Sequence, residues 1–106
     1  MAWVYLTIAG IFEIIWAFAM KQSDGFTRPA PTAITLVAMI VSFALLSLSM
    51  KSLPLGTAYT IWTGIGAVGA FLVGIYILGE QANAMRITAA LLIVSGLVMM
   101  KLSSPA

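Results

Sequence analysis

The chain has 106 residues, 62% hydrophobic and 8% charged, with a net charge of +2 and a mean hydropathy of +1.12. This composition excludes a soluble domain and predicts an integral membrane protein. Cysteine and histidine are absent and acidic residues number three, which removes thiolate nucleophiles, the commonest metal ligands and a paired-carboxylate active site within one chain. No enzyme, metal or cofactor chemistry is expected, and without a basic run neither is a nucleic-acid partner.

The first apolar run, Trp3 to Met20, carries a single ionisable side chain, Glu13, near its middle. At ~1.5 Å per residue such a helix covers roughly 27 Å, close to the thickness of a hydrocarbon core, so residues 2–20 are read as a span. The run lacks a basic leader and contains Glu13, so it is expected to stay in the mature chain. A carboxylate near the bilayer centre costs on the order of a few kcal/mol, so Glu13 must face protein or water. All other charged residues lie at or beyond the ends of apolar runs. Glu13 is the one intramembrane charge, and the rest of the chain is read as its housing.

Steps of three and four from Glu13 reach Ala9, Gly10, Trp16, Ala17 and Met20, a stripe mostly of small residues beside an indole. Gly10 and Ala17 serve either close helix packing or the approach of a ligand to the carboxylate. Trp16 lies one turn inside Lys21, deeper than an interfacial aromatic, within reach to donate its indole N–H to Glu13.

Lys21 to Thr32 reads as a loop, with a turn at Asp24-Gly25 and prolines 29 and 31 leading into the next span, 33–50. Its serines can each satisfy themselves on a carbonyl of the preceding turn. Ser42 alone has the depth of Glu13. Lys51 to Pro54 is a tight connection to the third span, 55–78, where Tyr59, Trp62, Gly66, Gly69 and Val73 share a face. Gly64, Gly66, Gly69 and Gly74 weaken this helix, and a bend near its middle is expected. Close packing accounts for the glycines equally, but the polar atoms of Tyr59 and Trp62 need partners in a dry interior. Gly79 to Met85, carrying Glu80, is a short polar turn. The fourth span, 86–101, has small residues Ala89, Ala90, Ser95 and Gly96 and no internal charge, as suits self-association.

Four spans place both termini and the second connection, with Lys51 and Lys101, on one side. Lys21, Arg28 and Arg86 lie on the other. So even a split is a weak topological signal and allows insertion both ways. Transporters often place a midplane site between inverted repeats, yet nothing in this chain repeats Glu13. A second copy inserted upside down supplies the missing half.

These residues resemble the small multidrug resistance family of bacterial membrane transporters along essentially the whole chain. The resemblance is carried by Glu13 in mid-span, MKQSDGFTRPAPT after it, SLPLGTAYTIWTGIGAVG through the third span, and Gly79-Glu80. EIIWA at Glu13 to Ala17, Met39, MKSLP at Met50 to Pro54 and Lys101-Leu102-Ser103 look most like the guanidinium exporter branch. The resemblance implies an all-α fold of four transmembrane helices and an antiparallel, dual-topology homodimer in the bacterial inner membrane. It further implies that protons and guanidinium, or small monosubstituted guanidiniums, bind Glu13 in turn, with Trp16, Ser42, Tyr59 and Trp62 as neighbours. In that scheme Trp16 and Ser42 donate to Glu13, Tyr59 and Trp62 stack on the cation, and Gly10, Met39, Gly66 and Gly69 line the cavity or act as a hinge. A broad exporter of quaternary ammonium compounds is the alternative within the family. A non-transporting subunit or a passive cation channel is the alternative outside it.

Overall fold

A computed structural model describes residues 1–103. They form four helices, α1 (Ala2–Gln22), α2 (Pro29–Ser49), α3 (Leu55–Tyr76) and α4 (Ala84–Ser103), with no strand among the described residues. Each is long and apolar enough to cross a membrane. At ~1.5 Å per residue, helices of this length match a hydrocarbon core of about 30 Å.

The helix ends depart from the expected spans for local reasons. α2 starts at Pro29 rather than at residue 33: a proline at the first helical position lacks only an N–H that would have had no partner, and Arg28 before it is extended, at φ −95° and ψ 119°, as a residue before proline prefers. α3 stops at Tyr76, short of residue 78, because the Glu80 amide turns back to the Gly74 carbonyl at 2.8 Å through Gly79 at φ 70°. α4 begins at Ala84, where the Asn83 side chain accepts the Arg86 amide at 2.9 Å and satisfies a donor that the helix itself cannot.

The turn after α1 is held by a buried serine. Ser23 Oγ donates to the Met20 carbonyl at 2.6 Å and accepts from the Phe26 amide at 3.1 Å. Asp24, Gly25 and Phe26 then run through left-handed backbone, at φ 50°, 72° and 67°. Glycine takes this region freely and aspartate tolerates it, whereas phenylalanine does so only where the turn compels it.

In space the helices lie in the order α2, α1, α3, α4. α1 packs most extensively on α2 and then on α3, α2 barely touches α3, and α4 packs along α3. The result is a slab of 42 × 34 × 16 Å, little more than one helix thick. The buried apolar cluster contains Leu6, Ala9, Leu46, Leu53, Ala58, Ile61 and Trp62, so the core sits in the half of the slab nearest the α2–α3 connection. At that end Lys101 Nζ lies 4.3 Å from the centre of the Trp3 ring, which puts the start of α1 beside the end of α4. No residue of α4 is buried.

Candidate functional site

Glu13 projects from α1 towards α3. Gly66 makes room for it: a Cβ at that position would overlap the Glu13 carboxyl group. The same crossing uses Gly69, whose Cβ would meet the Ile14 side chain, and Gly10, whose Cβ would come within 2.6 Å of Ile65. Glycine is required at Gly66 because the backbone of one helix lies against the carboxyl group of another. Glu13 Oε1 is buried and has no hydrogen-bond partner among the described residues, and the same holds for Trp16 Nε1.

Ser42 is fully buried and ties together the three helices around the site. Its hydroxyl donates to the Ala9 carbonyl at 2.7 Å and accepts the Trp62 indole N–H at 2.9 Å. Ala9 stands one turn before Glu13 on the same stripe of α1. The relay thus fixes the α1 backbone next to the carboxylate and satisfies the polar atom of an indole that is only 7% exposed.

The rings form a row across the helices. Trp16 meets Phe43 edge-on with centroids 6.3 Å apart, Phe43 lies 5.7 Å from Trp62, and Trp62 lies 5.6 Å from Tyr59. Trp62 is buried, whereas Phe43 is 47% and Tyr59 53% exposed, so the row has open rings on either side of the buried indole. Met39 is half-buried one turn before Phe43 on α2.

Two expected contacts are not those the structure makes. The Ser42 hydrogen goes to the Ala9 carbonyl rather than to Glu13, because the α1 backbone is nearer and the carboxylate turns to α3. Trp16 does not donate to Glu13: its ring turns edge-on to Phe43 and its N–H has no partner among the described residues. Phe43 was not singled out by the sequence reading, and only its position one turn after Met39 and next to Ser42 marked it.

The described residues include no group of three or more histidine, cysteine, aspartate or glutamate side chains able to hold a metal. What they bring together is one carboxylate with a free buried oxygen, an unengaged indole N–H and a row of ring faces. Such a set suits a small planar cation: a carboxylate takes forked N–H donors, and ring faces attract positive charge.

The fold and this site define a multi-pass membrane protein organised around a single intramembrane carboxylate. Residues 1–93 match the family model described as Small Multidrug Resistance protein, and the chain belongs to that family. It is similar to a guanidinium exporter of Escherichia coli K12, with 56% identity over 104 residues, covering 98% of this chain and 99% of the relative. Guanidinium exporters of Citrobacter freundii and Salmonella typhimurium are 53% identical over the same share of each chain. The chain is accordingly a multi-pass protein of the bacterial plasma membrane.

Proposed function

We propose that this protein exports guanidinium, and small monosubstituted guanidiniums, in exchange for protons, with both ions competing for Glu13. The observation that carries the reading is the buried Glu13 oxygen left without a partner against the bare backbone of Gly66. A buried acceptor without a partner is costly unless something transient fills it. A proton and a cation each fill it, and whichever is bound excludes the other. The exporter names of relatives more than half identical along the whole chain support the same substrate. Nothing in this scheme calls for enzyme chemistry or a cofactor.

The functional unit in this reading is a pair of chains inserted in opposite directions. A slab 16 Å thick cannot enclose a cation on its own, and Glu13, Tyr59 and the ring row need a facing surface to become a cavity. A second copy supplies that surface and a second Glu13, and lipid covers what remains. Ser42 and Trp62 hold the wall of the cavity in register, while Trp16 and Tyr59 are free to engage the cation or the partner. Gly10, Met39, Gly66 and Gly69 border the site, and exchange of conformation between the two chains opens it to either side in turn.

The test is transport by purified protein in liposomes, with guanidinium on one side and an imposed pH gradient, using Glu13→Gln as control. Uphill movement of guanidinium driven by protons and absent in the mutant is the expected result. Movement only down the guanidinium gradient would replace the exporter with a channel. Absence of movement with guanidinium, but coupled movement of bulky aromatic or quaternary ammonium ions, would establish the broad exporter instead. No transport of any cation would leave the subunit reading.

A further inference from the structure

A second carboxylate stands at the far end of the Glu13 stripe. Ala17 and Lys21 follow Glu13 along α1 by steps of one turn, and both line a groove of about 320 Å³ together with Phe71, Gly74, Glu80 and Arg86. Glu80 is drawn back over α3: its amide bonds the Gly74 carbonyl at 2.8 Å, and its carboxylate occupies the space a side chain at Gly74 would fill. Arg86 converges on it from the first turn of α4. One of its terminal nitrogens lies 3.9 Å from Glu80 Oε1, the other donates to the Gln81 carbonyl at 2.6 Å, and the guanidinium carbon sits 5.2 Å from the centre of the Phe71 ring.

Arg86 gains nothing from α4 in this position. A cation in the first turn of a helix opposes the helix dipole, and the start of α4 is already capped by Asn83. What holds the Arg86 head is a carboxylate, a backbone carbonyl and an aromatic face. These are the groups that recognise a planar cation with forked donors, and the cation they hold is itself a guanidinium. The pair is 40% and 44% exposed, and exposed ion pairs of this kind are weak and readily exchanged.

We propose that Glu80, the Gln81 carbonyl and the Phe71 ring form a second guanidinium site at the mouth of the Glu13 stripe, occupied at rest by Arg86 and taken in passing by the free ion. The inference rests on guanidinium being the substrate and adds where the ion pauses on its way to or from Glu13. Arg86 keeps the mouth filled when no substrate is present and gives way when substrate arrives. Because Arg86 is tethered, it competes at an effective concentration of about millimolar or above, so the resting site is weak towards the free ion and strengthens when Arg86 is removed. Lys21 lines the same groove and adds like charge, which favours release over retention.

The test isolates this site by removing the other. Calorimetric titrations of guanidinium chloride, at ionic strength matched with sodium chloride, are run on purified E13Q, E13Q/R86A and E13Q/R86A/E80Q. E13Q/R86A is expected to bind guanidinium at least tenfold tighter than E13Q, and adding E80Q is expected to abolish the gain. Equal binding by E13Q and E13Q/R86A, or a gain that survives E80Q, overturns the proposal. Should R86A fail to assemble, the Arg86 side-chain nitrogen signals in E13Q answer the same question. Shifts with guanidinium that tetramethylammonium does not produce support the site, and identical responses to both ions overturn it. Coupled guanidinium transport by the unmutated protein, measured in parallel, tells a failure of this site from a failure of the substrate reading.

Discussion

The Trp62 indole N–H and the Ser42 hydroxyl share a hydrogen bond of 2.9 Å, and Ser42 passes its own hydrogen to the Ala9 carbonyl at 2.7 Å. One small side chain on α2 therefore serves both neighbouring helices at the depth of the site.

Ser42→Ala removes both bonds at once and leaves a buried indole N–H without an acceptor. The cost expected from such a loss is about 1–3 kcal/mol. Thermal unfolding in detergent should fall accordingly, and guanidinium affinity should fall with it as α1 loses its anchor beside Glu13. An unchanged melting temperature would mean that the relay does not carry this load.

Gly66→Ala should remove transport while the fold survives. The added methyl competes with the Glu13 carboxyl group for one volume, so the carboxylate must turn away. At least a tenfold loss of guanidinium affinity is expected, equivalent to about 1.4 kcal/mol. Gly56→Ala is the matched control: no atom outside its own surroundings lies within 4 Å of a Cβ there. In that helix it should leave transport intact and raise stability by up to about 1 kcal/mol.

Trp16→Phe distinguishes a ligand contact from a structural one. The phenyl ring retains the edge contact to Phe43, and the lost N–H has no protein partner among the described residues. Stability should therefore hold or rise, because an unsatisfied buried donor is removed, while guanidinium binding weakens. A marked drop in stability without a change in binding would assign the N–H to the partner chain instead.

The proposed competition of proton and guanidinium for Glu13 fixes the sign of the expected pH response. As pH falls, the proton takes the carboxylate, and linkage requires guanidinium binding to weaken in step. In the acid limb the apparent Kd should rise about tenfold per pH unit for one competing proton, and it should level off at alkaline pH. Binding measured by calorimetry across pH checks this, and a pH-independent Kd contradicts it. In Glu13→Gln, coupled transport should be lost with the chains still assembled.

The helices were legible because apolar runs of membrane length leave few alternatives, and Glu13 was legible because a lone charge inside such a run has no casual explanation. The ends were less so. Pro29 belongs to α2 although prolines also mark loops, and the stop at Tyr76 depends on a bond from Glu80 that no local pattern announces. Within the site, Gly66 was placed on the correct face of α3, but its contact with Glu13 depends on how two helices cross. Ser42 was singled out by its depth, whereas its hydrogen-bond partners were not, since the choice between Ala9 and Glu13 as acceptor is settled by distances of less than a turn. Phe43 escaped because an aromatic in an apolar span reads as packing, and its place beside Ser42 does not by itself say which rings it will meet.

The exposure of α4 sets the scale on which this protein must be studied. In the proposed pair of chains, α4, which buries none of its residues within its own chain, offers the seam, and each chain finds its mate by diffusion in the bilayer plane. Transport per molecule then becomes a function of protein-to-lipid ratio, rising with loading and reaching a plateau once most chains are paired. Vesicles prepared at high dilution would report a sluggish protein whose chemistry is intact, and a dilution series turns that apparent defect into a measure of how strongly two chains hold one another.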